Sequence, residues 1–132
     1  MFKPLRLPSL LFLVCASNSV LAAQSDQYLC ATRTAIQCIS SGECADGLPE
    51  TFHLPGFLRL DLKQKTITAG ELKSSIDSLT ELETGYAMHG KIPGVHRAWS
   101  LTYEHETGWM TATITGVGEG YVVFGICTPV KY

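Results

Sequence analysis

The chain has 132 residues, enough for one domain with a single modest hydrophobic core. Hydrophobic residues make up 45% of it and charged residues 17%, which excludes a wholly disordered chain. The formal net charge of -2 lacks the basic excess that binding to nucleic-acid phosphates requires, so we expect no nucleic-acid partner.

Residues 1–22 have the features of a Sec-type signal peptide, and residues 23–132 then form a single exported domain. Two basic residues precede a short apolar run, and small residues place the cleavage after Ala22 or Ala23. The apolar run is far shorter than the ~20 residues of a membrane-spanning helix, so stable membrane insertion is not expected. The sequence therefore predicts a periplasmic or secreted protein.

Cleavage removes Cys15 and leaves four cysteines, Cys30, Cys38, Cys44 and Cys127. An even number of cysteines in a small exported domain is typical of two disulfides. Their spacing lacks the close C-x2-C pairs of zinc sites, so we expect no bound metal.

The first predicted strand spans residues 27–39, because this segment is rich in β-branched and aromatic residues and contains no glycine or proline. Neither of its faces is cleanly apolar, so we expect the strand to bend or bulge midway. The following residues, 40–56, contain several glycines and prolines and predict a long loop.

Residues 57–69 predict a hairpin, because leucines at alternate positions are followed by a polar turn and a second short strand. In residues 71–83 the leucines and the isoleucine also fit a helical stripe. Several serines and threonines in the same segment are poor helix formers, however. We therefore expect Ser75–Leu82 to be extended.

Four more strands are predicted before the C-terminus, separated by turns that contain glycine. They span residues 85–90, 97–103, 109–115 and 121–127. In the second of these, Trp99, Leu101 and Tyr103 alternate with hydroxyl side chains, which predicts that these three are buried. The last strand is apolar on both faces.

About eight short strands joined mostly by tight turns make an all-β, antiparallel meander. Such a meander closes into a barrel-like sheet or folds into a two-sheet sandwich, and the spacing of the strands fits both architectures.

Strand geometry limits how the cysteines pair. If residues 27–39 form one strand, Cys30 and Cys38 lie about 26 Å apart, far beyond the ~4.4–6.8 Å between the Cα atoms of a disulfide. Closing the meander sets the first strand antiparallel to the last, which brings Cys30 beside Cys127. Cys38 then closes a small loop with Cys44. We therefore predict two disulfides, Cys30–Cys127 and Cys38–Cys44.

The chain contains landmarks in Gly120–Pro129, in Trp99–Leu101, in Thr107–Gly108 and in the spacing of its first three mature cysteines. Together these resemble a group of small exported bacterial proteins of unknown role with a four-cysteine β domain. The resemblance implies a secreted β domain with this cysteine framework, and it carries over no catalytic residue.

Residues that often perform catalysis lack partners at recognisable spacings. His53, His89, His96 and His105 form none of the usual metal-binding or catalytic patterns, and no G-x-S-x-G nucleophile motif occurs. We therefore expect no catalytic residue, no metal and no cofactor. An envelope enzyme that uses a histidine and a carboxylate is the alternative.

The turn before the strand at residues 109–115 is the candidate binding feature. It joins Glu104, His105 and Glu106 to Trp109, which alternation places on the threonine-rich, exposed face. Loops on rigid β scaffolds commonly carry recognition. The sequence thus favours a non-catalytic binding protein of the cell envelope, with a small ligand, a glycan or a protein as partner. A purely structural or assembly factor is a further alternative.

Overall fold

The computed structural model describes residues 25–130 together with Pro4. The rest of the predicted signal peptide and its cleavage site lie outside the described residues. The described residues contain ten strands, one short 3-10 helix at Pro49–Phe52 and no α-helix. The strands are β1 (Gln27–Ile39), β2 (Cys44–Gly47), β3 (Phe57–Asp61), β4 (Thr66–Ala69), β5 (Leu72–Ser75), β6 (Ser78–Leu82), β7 (Gly85–Lys91), β8 (Ala98–Glu104), β9 (Trp109–Gly116) and β10 (Glu119–Pro129).

All ten strands belong to one antiparallel sheet that curls into a half-barrel. The strand order is β5-β4-β3-β1-β10-β9-β8-β7-β6, and β2 pairs with the far half of β1. The all-β antiparallel prediction is therefore confirmed, and of its two architectures the structure has the barrel-like one. The first and last strands, β1 and β10, lie side by side at the middle of the sheet.

The long first strand has the predicted bulge. Its pairing with β10 shifts register between Thr32 and Thr34, so Arg33 is the extra residue. Cys30 is buried before the bulge and Ala35 after it. The two lie five positions apart, so strict alternation would put them on opposite faces. The bulge thus explains why neither face of the segment is apolar throughout.

Both predicted disulfides are present, Cys30–Cys127 and Cys38–Cys44. Each joins residues that lie directly opposite one another, the first between β1 and β10 and the second between β1 and β2. The Cys30–Cys127 bridge is buried in the hydrophobic core, and it links positions 97 residues apart in the chain.

Residues 25–130 form ten strands where about eight were predicted, and two segments account for the difference. The predicted loop at residues 40–56 contains β2 and the 3-10 helix, because the Cys38–Cys44 bridge holds a short return strand against β1. The segment at residues 71–83 is extended, as predicted, but it forms two strands, β5 and β6. Ile76 between them is buried, and its backbone N–H donates to the carbonyl of Lys65 at 2.8 Å.

Hydrogen bonds of a buried serine hold the outermost strand β5 against the other side of the curl. The Ser74 hydroxyl on β5 donates to the carbonyl of Lys91 at 2.6 Å and accepts from the Trp99 indole N–H at 3.0 Å. Gly90 permits this contact, because a Cβ there would lie 2.5 Å from the Ser75 carbonyl oxygen. β5 therefore lies against β7 and β8 although it pairs with neither of them.

Candidate functional site

The interior of the curled sheet is divided into a filled end and a hollow end. At the filled end, the rings of Tyr28 and Tyr103 have centroids 4.8 Å apart, and Tyr86 lies 6.4 Å from Tyr28. His105 packs its ring edge-on against Tyr86 and Tyr103, at 5.3 and 5.5 Å. These four side chains are here called the tyrosine cluster. Tyr28 and Tyr103 belong to the buried core together with the Cys30–Cys127 bridge, and the partly buried Tyr86 packs against that core.

Burial disfavours ionisation of the three tyrosines in this cluster. Desolvation, together with the neighbouring Tyr86 and Tyr103 and Asp26, raises the pKa of Tyr28 to about 12. Desolvation also raises the pKa of Tyr103 and, with the nearby carboxylates, that of Tyr86. The three phenols therefore ionise only at a higher pH than an exposed tyrosine does.

The hollow end contains a cavity of about 410 Å³. Most of its lining is apolar. The apolar lining residues are Leu54, Pro55, Leu58, Ile67, Ala69, Leu72, Ile92, Pro93, Val95, Trp99, Leu101, Ala112, Ile114 and Val123. Thr32, His53, Ser74, Arg97, Ser100 and Thr113 complete the lining.

Small side chains leave the cavity open. Ala112 on β9 lies directly opposite Leu101 on β8, and both face inward. Met110, two residues earlier on β9, also faces inward but lies at the filled end, where its side chain is only 1% exposed. Ala69 on β4 also contributes only a methyl group to the wall.

Two large apolar side chains border the cavity and also face solvent. Val95, in the turn between β7 and β8, is 54% exposed, and Leu72 on β5 is 46% exposed. Both line the cavity, so they mark where it opens to solvent. Apolar residues that are exposed in a concave site are typical of ligand-binding surfaces.

A polar network adjoins the opening. Arg97, which lines the cavity, forms a salt bridge with Glu119, and its guanidinium lies 5.9 Å from the centroid of the Tyr121 ring. The Tyr121 hydroxyl donates to Glu119 at 3.3 Å and accepts from the Gln37 side-chain amide at 3.0 Å. These contacts hold Arg97 in place at the cavity wall.

The buried hydroxyl of the wall has its hydrogen-bond partners within the protein. The Ser74 hydroxyl is held by Trp99 and the Lys91 carbonyl. Ser100 and Thr113 alternate with the inward-facing residues of β8 and β9, and their hydroxyls lie 2.5 Å apart on the exposed face of the sheet. No carboxylate lines the cavity. Among the described residues, no buried side-chain nitrogen or oxygen lacks a hydrogen-bond partner, and no group of three metal-ligating side chains occurs.

The predicted binding turn lies at the filled end, away from the cavity. Trp109 is 64% exposed, as the alternation predicted, and Glu106 is exposed as well. Glu104 accepts a hydrogen bond from the Thr107 hydroxyl at 2.8 Å. His105 is only partly exposed, because its ring belongs to the tyrosine cluster. Glu104, Glu106 and Trp109 thus remain at the surface, whereas His105 packs against the interior.

The histidines do not assemble into a site within residues 25–130. His53, His89 and His96 are exposed, and of the four histidines the cavity is lined by His53 alone.

No motif in the sequence predicts the cavity. Its signals were the small alanine at position 112 in an otherwise bulky alternation and the apolar residues of the turn at 92–95. Neither signal reveals a void until the strands are brought face to face.

No protein-family model matches the chain, and neither a curated protein nor a solved structure shows significant similarity to it. Within the part of the chain that the structure describes, no helix has the length and hydrophobicity to cross a membrane.

Proposed function

We propose that this protein is a non-catalytic binding protein that holds a small apolar molecule in the cavity at the hollow end of its curled sheet. The observation that carries the proposal is the cavity of about 410 Å³, lined mainly by aliphatic and aromatic side chains. Ligand pockets commonly measure roughly 300–1,000 Å³ and combine an apolar wall with a few polar groups.

The exposed rim supports the same function. Val95 and Leu72 keep apolar surface in contact with water, and a bound apolar molecule removes that surface from water together with its own. Arg97 and His53 are polar groups from the wall that contact the more polar end of such a molecule.

The predicted leader and the two disulfides support an exported protein, because structural disulfides form and persist in oxidising compartments. The ligand is therefore a sparingly soluble molecule of the cell envelope or its surroundings. An envelope glycan suits the cavity less well, because sugar hydroxyls need more hydrogen-bonding groups than this wall offers.

The lining also favours binding over catalysis. The enzyme alternative requires a histidine beside a carboxylate, and the cavity brings His53 to its edge with no carboxylate in the wall. Ser74, the buried hydroxyl, is occupied by its two hydrogen bonds.

The test is a titration of the mature protein with the neutral dye N-phenyl-1-naphthylamine, followed by displacement of the dye with a medium-chain alcohol. The Trp109→Phe variant leaves Trp99 as the sole tryptophan of the described residues, so its fluorescence reports on the cavity wall. We expect saturable dye binding, displacement by the alcohol and a change in Trp99 emission.

A substitution that fills the cavity tests the proposal most directly. Ala112→Phe places a ring in the cavity and should weaken dye binding at least about tenfold, which corresponds to about 1.4 kcal/mol. Ala45→Phe, the same change at an exposed position outside the lining, should have no effect. Circular dichroism confirms that both variants fold. Absence of saturable binding to the wild type, or equal binding to Ala112→Phe, rejects the proposal.

A further inference from the structure

The central strand β10 carries apolar side chains on both faces. Those on its inner face belong to the buried interior, whereas those on its outer face are at least partly exposed. Val123 and Cys127 are buried on the inner face, while Phe124 on the outer face is 37% exposed and Val122 and Ile126 are partly exposed. An antiparallel strand that faces water on one side normally alternates apolar with polar residues. The outer face of β10 therefore has the composition of a surface that is covered.

The apolar surface continues straight across four strands. Trp109 on β9 pairs with Ile126 on β10, Ile126 pairs with Ala31 on β1, and Ala31 pairs with Phe57 on β3. Directly paired residues project from the same face of a sheet, so these four form one line, here called the outer apolar row. Its two ends are aromatic and exposed, Trp109 by 64% and Phe57 by 65%.

Opposite charges flank the two ends of the outer apolar row. Beyond Phe57, the neighbouring line of paired residues runs from Leu29 through Arg59 and Thr68 to Lys73, so this flank is basic. Asp61, farther along β3, is engaged by the backbone N–H of Gln64 at 2.9 Å.

Beyond Trp109 lies the turn with Glu104 and Glu106, so the second flank is acidic. This turn is level with the basic line, because the Cys127 backbone N–H donates to the Gly108 carbonyl at 2.7 Å. Glu106 is exposed, and Arg59 on the opposite flank is exposed as well.

This arrangement is self-complementary. A two-fold axis that runs parallel to the strands between β10 and β1 exchanges the two flanks of the surface. Trp109 of one copy then meets Phe57 of the other, and the acidic turn of each copy meets Arg59 of its partner. We infer that the outer apolar row is a self-association surface whose occupant is a second copy of this chain.

The size of the row sets the strength of the association. Four strands spaced about 4.8 Å apart make a row of about 14 Å, and two convex faces meet along a strip rather than over a broad plane. Such an interface is smaller than the roughly 800 Å² per partner of standard stable complexes. We therefore expect a reversible dimer whose population rises with concentration.

Sedimentation equilibrium of the mature protein up to about 1 mM measures this dimer. Trp109→Lys and Phe57→Lys introduce a charge into the row at positions that are too exposed to affect folding, and each should weaken dimerisation at least about tenfold. Val117→Lys is the matched control, because Val117 is 93% exposed in the turn between β9 and β10, away from the row. It should dimerise like the wild type.

A charge exchange distinguishes a second copy from any other occupant. Arg59→Glu and Glu106→Lys each turn two attractive contacts across the two-fold axis into repulsive ones, so each variant alone should dimerise several-fold more weakly. An equimolar mixture of the two variants restores opposite charges at both contacts and should recover association.

A wild type that remains monomeric at about 1 mM overturns the inference. So does a dimer that is unaffected by both lysine substitutions, or a mixture of the charge variants that associates no better than either variant alone. None of these results bears on the cavity, which lies on the inner face of the sheet.

Discussion

The two ends of the curled sheet use the same strands but differ in how their interior is packed. On β8, Tyr103 belongs to the filled end and Trp99 to the hollow end, four residues or about 13 Å apart on the same face. On β9, Met110 fills space that Ala112, two residues later, leaves open. The size of the side chains along a strand, with no change in its hydrogen bonding, therefore decides whether this curled sheet encloses a core or a cavity.

The two ends also differ in their disulfides. Cys30–Cys127 lies in the core at the filled end, whereas Cys38–Cys44 ties β2 to the far end of β1. The filled end is thus both packed and cross-linked at its centre.

The largest effect is expected from removing the bridge at the filled end. Replacing both Cys30 and Cys127 by Ser should lower the free energy of unfolding by about 4–5 kcal/mol, because this bridge closes a long loop. The Cys38→Ser, Cys44→Ser double variant is the control, since its short loop predicts a loss of about 2 kcal/mol. Urea denaturation of the two variants measures both values, and equal losses would show that loop length does not govern their stabilities.

Shortening side chains at the two ends should have unequal effects. Met110→Ala removes a fully packed side chain and should cost about 3 kcal/mol, whereas Ile114→Ala, on the same strand at the cavity wall, should cost about 1 kcal/mol because fewer contacts are lost. Thermal and urea unfolding compare the two. A cost for Ile114→Ala as large as that for Met110→Ala would mean that the hollow end is packed in solution.

A smaller effect concerns pH. Because burial raises the pKa of Tyr28 to about 12 from an ordinary value of 10.0, the folded chain holds this proton more tightly than the unfolded chain. The resulting stabilisation is complete below pH 10 and is lost as the pH rises through about 12. Tyr28→Phe removes the titrating group and should make the stability less dependent on pH in this window.

Urea denaturation from pH about 9 to about 12 follows this loss, and absorbance at the phenolate band identifies the ionising tyrosine. If Tyr28→Phe falls in stability as steeply as the wild type over the same range, Tyr28 is not the group responsible.

Patterns read within single segments predicted much of the fold. The alternation in residues 97–103 identified the buried Trp99, Leu101 and Tyr103, and the mixed faces of residues 27–39 indicated the bulge that the structure has at Arg33. The rise per residue of an extended strand excluded a Cys30–Cys38 bridge, which led to the observed pairing. These features depend on local geometry. The order of residues within one strand already determines which side chains alternate and how far apart two of its residues lie.

Other features depend on which segments become neighbours in the folded sheet, so they could not be predicted from the sequence. Ala112 leaves space beside Leu101 on the neighbouring strand, and this space is a cavity because the curl of the sheet encloses it. His105 is partly buried because two tyrosines from β7 and β8 converge on it. The line from Trp109 to Phe57 crosses four strands whose registers no single segment specifies. The cavity, the tyrosine cluster and the outer apolar row each combine residues that are distant in the chain. The order of residues in one strand shows only which side chains that strand contributes to them.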